Sequence, residues 1–194
     1  MMEHETKRTI IDRALSLFRE FGYDKVTVQQ ICNACGITKT TFYYHLSSKA
    51  EIITDLYRPV AARLSERMDR ILSAGNYWEQ FVEIFNQSID VSEEIGRDLL
   101  GQRLILNLRE DHGVFQVDQE LAKTAALLIE QAQKVGQIRN QSPALSLYYA
   151  ADYLYRGFEL QWCISGTTDR KRQFRRMLEN VFDVTPILRR SPLY

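Results

Sequence analysis

The chain has 194 residues, 45% of them apolar and 26% charged, with 25 basic against 25 acidic side chains and only nine glycines and four prolines. That mix fits an all-helical soluble protein of two modules sharing a boundary, and it argues against a many-turned sheet protein. The acidic opening Glu3-His4-Glu5 lacks the basic and apolar regions of a secretion signal, and no apolar run approaches the ~18 residues of a spanning helix. The expectation is therefore a cytoplasmic protein with no membrane partner.

About nine helices are predicted. Ile10, Ala14, Leu17, Phe18 and Phe21 repeat at the spacing of one helix face, and Gly22 stops that helix. Thr27-Val28-Gln29-Gln30 reads as a capping box, so a second helix starts at Thr27 and ends at Gly36. Thr38 can cap a third helix through Tyr44 and His45. Ser48-Lys49-Ala50-Glu51 is a further capping box, opening a fourth helix that carries Ile52, Leu56, Val60, Leu64, Met68 and Ile71 to about residue 73. Pro59 inside it predicts a kink near residues 55–59.

Asn76 with Glu79 opens a fifth helix bearing Trp78, Phe81, Val82, Phe85 and Ile89, and a sixth is expected from about 93 to 109. A seventh covers about 115 to 135 and closes at Gly136. Ser142-Pro143, an N-cap followed by proline at the first helical position, opens an eighth to about 165. The ninth, about 169 to 184, sets Phe174, Met177, Leu178, Val181 and Phe182 on one face. Domains are expected at 1–47 and 48–194.

Charge is distributed more tellingly than its zero sum suggests. Residues 1–50 hold seven bases and five acids, and between Asp24 and Glu51 there is no acid at all, while Lys25, Lys39 and Lys49 lie in or at that stretch. A polyanion can approach it without meeting a like charge. Two short helices joined by a tight glycine turn have the dimensions of a helix-turn-helix, with Val28, Ile31, Cys35, Ile37 and Phe42 as its small interior. Outward on the third helix stand Thr38, Lys39, Thr40, Thr41, Tyr43 and Tyr44, followed by His45 and Lys49. These are hydrogen-bond donors with apolar bodies, suited to phosphate oxygens, base edges and thymine methyls.

Ile-x6-Leu-Phe-x2-Phe-Gly-Tyr, then Val-Thr-Val, then Cys-Gly-Ile-Thr-Lys-x-Thr-Phe-Tyr-Tyr-His-Leu-x-Ser-Lys resembles the N-terminal domain of TetR-type repressors over roughly residues 6–56. Cys32 and Cys35 stand where that family commonly has alanine, and Leu46 stands where it usually has phenylalanine. The resemblance implies a repressor that grips double-stranded operator DNA as a homodimer and answers to a small-molecule effector. It places Lys39, Thr40 and Tyr43 at base edges and Thr27, Thr38, Thr41, Tyr44, His45 and Lys49 at phosphates. Two roles stay open for several of these: Thr38 caps its helix in either case, Tyr43 can pack on the first helix, and His45 can cap carbonyls.

By the same resemblance the last two helices pair with their twofold mates, with Tyr148, Tyr155, Phe158, Trp162, Phe174, Leu178 and Phe182 as the interface. The alternative for those side chains is an intramolecular core. Phe81, Phe85, Arg103, Asn107, Leu128, Gln131, Tyr149 and Tyr153 combine aromatic walls with polar anchors, as effector sites do, although ordinary packing competes for each. Asp152 and Arg156, four apart, read as a helix-face ion pair.

Rival readings are an enzyme, a pure interaction protein and an activator. Residues 96–103 have the glycine spacing of a phosphate loop without its Lys-Ser/Thr, and Cys163 has no evident base. Cys32-x2-Cys35 lacks the second pair that zinc requires. No catalytic residue, metal or cofactor is expected.

Overall fold

The computed structural model describes residues 2–54, 73, 75–113 and 115–189. Among these residues nine α-helices follow in order: α1 (Met2–Phe21), α2 (Val28–Cys35), α3 (Lys39–His45), α4 (Lys49–Thr54), α5 (Tyr77–Ile95), α6 (Arg97–Arg109), α7 (Gln119–Lys134), α8 (Ala144–Ser165) and α9 (Arg170–Val181). A 3₁₀ turn, Pro186–Leu188, follows them. The described residues hold no strand, only an isolated antiparallel bridge between Ile138 and Val184. The expected kink near Pro59 and the rest of the fourth helix lie outside the described residues. No described helix is long and apolar enough to cross a membrane. The chain divides into two compact units, the first Met1–Val60 with Ile95–Val114, the second Ala61–Glu94 with Phe115–Tyr194.

The first unit is built around the stripe expected on α1. Ile10, Ala14, Leu15 and Phe18 are buried with Val26, Ile31, Cys32, Phe42, Leu46, Ile52, Ile53 and Leu99. Phe21 does not join them; it is 49% exposed. The chain turns at Gly22 in the left-handed region, φ +86°, where glycine carries no Cβ penalty. Beyond that turn Tyr23 folds back edge-on to Phe18, ring centroids 5.1 Å apart, and packs against this core. α6 lies against α4 and contributes Leu99 to this core.

The second unit has an aromatic interior. Trp78, Phe81, Phe85, Tyr155, Phe158, Phe174 and Phe182 are all buried, with neighbouring centroids such as Phe81–Phe182 at 4.9 Å and Phe85–Phe174 at 5.1 Å, a spacing at which tilted and edge contacts are favourable. α9 meets α5 through opposite charges. Arg175 donates to both oxygens of Glu79 at 2.8 and 2.9 Å and to Glu179 at 2.8 Å, while Lys171 pairs with Asp90 at 2.5 Å. Arg156 and Asp152 form the expected ion pair, at 2.6 Å.

Several boundaries moved, each for a local reason. α5 continues to Ile95 and breaks at Gly96, φ +89°, so α6 starts at 97 and not at 93. α7 begins at Gln119 because the Asp118 carboxylate accepts from the N–H groups of Glu120 and Leu121, both at 3.0 Å. At α8 Pro143 is itself the N-cap residue, and the Ser142 hydroxyl does not cap the helix. α9 stops at Val181, after which Asp183 takes φ +46° and the chain pairs with the segment after α7: Arg139 N–H donates to Asp183 O at 3.1 Å and Thr185 N–H to Gln137 O at 3.0 Å.

Candidate nucleic-acid interface

α2 and α3 form where the caps predict. Thr27 is extended, its hydroxyl accepts from Gln30 N–H at 3.2 Å, and the Gln30 amide oxygen accepts from Thr27 N–H at 2.8 Å, the reciprocal pair of a capping box. A cap of this kind is worth about 1 kcal/mol to a short helix. Gly36 ends α2 at φ +65°, which lets its N–H return to Asn33 O and Cys32 O and turns the chain within two residues. Thr38 then caps α3, its hydroxyl accepting from Thr41 N–H at 3.1 Å and meeting the Thr41 hydroxyl at 2.9 Å.

The interior of this pair is apolar and small. Ile31, Cys32 and Phe42 are buried, with Val28, Cys35 and Ile37 packed against them. Both cysteines are free thiols serving as small side chains. Burial, with the neighbouring Cys32, pushes the Cys35 thiol above its usual range.

What α3 leaves outside is the candidate surface. Lys39, Thr40, Tyr43 and Tyr44 are exposed, Tyr43 by 54% and Tyr44 by 72%. Tyr43 rests edge-on against Phe42, 5.3 Å between centroids, and its ring is not taken up by α1. His45 is half-buried, its ring 5.0 Å from that of Tyr44. No acid occurs from Lys25 to Ala50, so this face is free of carboxylates of its own.

The start of α4 departs from the expected capping box. The Ser48 hydroxyl accepts from Glu51 N–H at 3.2 Å, as predicted. The Glu51 carboxylate, however, reaches one residue further back, accepting from Ser47 N–H at 2.7 Å and its hydroxyl at 2.8 Å, and pairs with Lys7 of α1 at 2.8 Å. Burial pushes the Glu51 carboxyl upward, but the hydrogen bonds from Lys7 and Ser47 outweigh it and hold the group below the usual carboxylate range. Lys7 lies 44 residues away in the chain, and nothing local in the sequence signals this tie.

Lys49, expected at a phosphate, is half-buried and turned inward. Its ammonium donates to Tyr23 O at 2.7 Å and Val26 O at 2.8 Å and sits 4.0 Å from the centre of the Tyr23 ring.

The residues expected at a dimer interface fall mostly elsewhere. Tyr148, Tyr155, Phe158, Phe174, Leu178 and Phe182 fill the core of this chain's own second unit, and Trp162 is half-buried beneath the Arg170 guanidinium, 3.8 Å from the ring. The intramolecular alternative is the one realised, because α8 is apolar on two faces. Its other face carries Leu145, Tyr153, Leu160 and Ile164, with Tyr153 68% and Ile164 71% exposed. Of the expected effector residues, Phe81, Phe85 and Leu128 are core, Tyr149 is packed against it, and Gln131 is half-buried. Tyr153 points outward. Arg103 is buried and Asn107, which accepts from His112 N–H at 2.9 Å, lies with it on α6 in the first unit.

Residues 10–56 match the family model of bacterial regulatory proteins of the tetR family. The tetracycline repressor protein class D of Escherichia coli is 26% identical over 110 residues, 57% of this chain and 49% of that protein. The biofilm operon icaADBC HTH-type negative transcriptional regulator IcaR of Staphylococcus aureus (strain Newman) is 27% identical over 117 residues, 52% of this chain and 63% of that one. The chain thus spans about half to two thirds of the length of these curated relatives. Among solved structures, the FadR repressor of Thermus thermophilus in complex with lauroyl-CoA superposes with a TM-score of 0.69 at 20% identity, covering 97% of this chain and 98% of that one. A gamma-butyrolactone receptor (ArpA like protein) does so with 0.61 at 16%, covering 98% and 94%, and both share the fold described above. The capped helix pair of α2 and α3 lies inside the segment that matches the tetR family model.

Proposed function

We propose that the chain is a transcriptional regulator, acting as a repressor, that binds palindromic operator DNA as a homodimer and releases it when a small-molecule effector binds. The observation that carries this reading is α3: a capped helix whose exposed side chains are donors and aromatic rings with no acid among them. Lys39, Thr40 and Tyr43 would meet base edges. Thr27, Thr38, Thr41, Tyr44 and His45 would meet phosphates. The work is binding and not turnover, and a DNA reader of this kind acts in the cytoplasm.

Two reading heads entering successive major grooves must lie about 34 to 36 Å apart, which asks for a twofold pair. The outward stripe of α8, together with the exposed Met177 and Val181 of α9, offers apolar area for a second copy of the chain. Response to a small molecule is supported by FadR, solved in complex with lauroyl-CoA, and by the gamma-butyrolactone receptor, both of the same fold.

The test is a titration of the purified protein against a set of duplexes over a salt series. Binding should weaken steeply as salt rises. Lys39→Ala and Tyr43→Ala should change the ranking among duplexes, by about 1 to 3 kcal/mol at the affected base pair. Failure of the wild-type protein to bind any duplex at low salt would overturn the reading.

A further inference from the structure

An ammonium has three N–H donors, and in Lys49 their directions are taken up inside the protein. Two go to main-chain oxygens, of Tyr23 at 2.7 Å and of Val26 at 2.8 Å. The face of the Tyr23 ring lies 4.0 Å from the same nitrogen and that of Phe18 6.0 Å. Charge-assisted hydrogen bonds to carbonyls are among the stronger polar contacts available, and a cation over an aromatic face adds to them. The two carbonyls belong to the segment that leaves α1 at the left-handed Gly22 and enters α2 at Thr27. Val26 is buried in the core and Tyr23 rests edge-on against Phe18, which anchors the side chains of the segment, while within it one backbone hydrogen bond closes a turn, Val26 N–H to Tyr23 O at 3.3 Å. Lys49 stands at the first turn of α4, so a single side chain pins the entry to α2 against the start of α4.

From this geometry we infer that Lys49 is a positioning residue for DNA reading: it fixes the segment from Tyr23 to Thr27, and through it the N-terminus of α2, and it does not neutralise a phosphate. The inference rests on the proposed DNA-binding function and differs from the phosphate role that the family resemblance implies for this position. Burial also pulls the ammonium below the usual lysine range, with the nearby Asp24 carboxylate working the other way, as expected for a cation used internally. Thr27, an exposed residue that caps α2, is the one through which the brace would reach the DNA.

The two roles separate on the salt dependence of binding. A phosphate contact contributes about 0.9 to the slope of log affinity against log salt, so its removal flattens the slope by about that much per protomer. A brace contributes affinity but no slope. Lys49→Met keeps the stem and removes the donors; Lys49→Gln keeps an N–H donor without the charge; Lys39→Met, on the exposed face of α3, is the comparison. DNA is represented by fragments that the wild-type protein recovers from a random-sequence pool.

The expected result is roughly tenfold weaker binding for Lys49→Met with the wild-type salt slope, and partial recovery by Lys49→Gln despite its lost charge. Lys39→Met, which removes a donor from a base edge, should change the ranking among the recovered fragments. Hydrogen exchange in the DNA-free proteins should show faster exchange at residues 23–27 in Lys49→Met and not in Lys39→Met. A slope flattened by about one per protomer in both Lys49 variants, or unchanged exchange at 23–27, overturns the inference while leaving DNA binding intact. Absence of binding by the wild-type protein would instead sink the proposed function, and the exchange measurement would still decide whether the brace exists.

Discussion

The two units differ in where they put their aromatic rings. In the first, Tyr43 and Tyr44 stand out from a seven-residue helix, more than half exposed, on a face with no acid. In the second, Trp78, Phe81, Phe85, Phe158, Phe174 and Phe182 are enclosed by their own chain. An exposed ring contributes little to folding stability and is available to a partner, whereas an enclosed ring loses its neighbours' contacts when truncated. The first unit therefore presents a surface available to a partner, and the second shows mostly how it holds together.

The contrast is sharpest in stability. Phe174→Ala removes a ring that touches Phe85, Tyr155 and Phe158 at centroid distances of 5.1 to 5.4 Å, and should cost about 3 to 5 kcal/mol in denaturant unfolding. Tyr44→Ala should change stability by no more than about 0.5 kcal/mol while weakening DNA binding. Equal losses for the two would erase the distinction.

A smaller effect is expected on the outward face of α8. Ile164→Asp places a charge on the exposed stripe and should weaken self-association by about 2 kcal/mol or more, read by sedimentation, with the monomer still folded. A variant that sediments as the wild type does would remove this stripe from the interface. Within the first unit, Glu51→Gln should lower stability at neutral pH by about 1 kcal/mol. Because the folded carboxyl is held below its ordinary range, its contribution is present above about pH 4.3 and disappears as pH falls through the folded value. The wild-type and variant proteins should thus converge in thermal stability once the pH has fallen below the folded value, and a difference that persists there would assign the effect to packing instead of charge.

Legibility in the sequence follows the same division. Thr27, Gln30, Gly36 and Thr38 are local signals, complete within four residues, and the helices they delimit form where expected. Lys7 with Glu51, and Lys49 with Tyr23, are ties across 44 and 26 residues that no spacing rule announces. α8 misled for another reason. Periodicity detects an apolar face but not which of two such faces looks inward: Tyr148, Tyr155 and Phe158 are buried in this chain's own core, whereas the effector candidate Tyr153 is exposed. At α7 the cap outranks periodicity: Asp118 starts the helix at Gln119, four residues later than the expected 115.

The central claim is that α3 reads DNA sequence as one half of a twofold pair. Selection of bound fragments from a random-sequence pool, followed by alignment of the recovered sites, tests it most directly. The account predicts an inverted repeat whose half-sites are centred about 10 base pairs, or a multiple of that, apart, and whose conserved bases change when Lys39 or Tyr43 is replaced. Recovery of fragments with no common sequence, or of a single unrepeated half-site by a protein that stays monomeric, would contradict it.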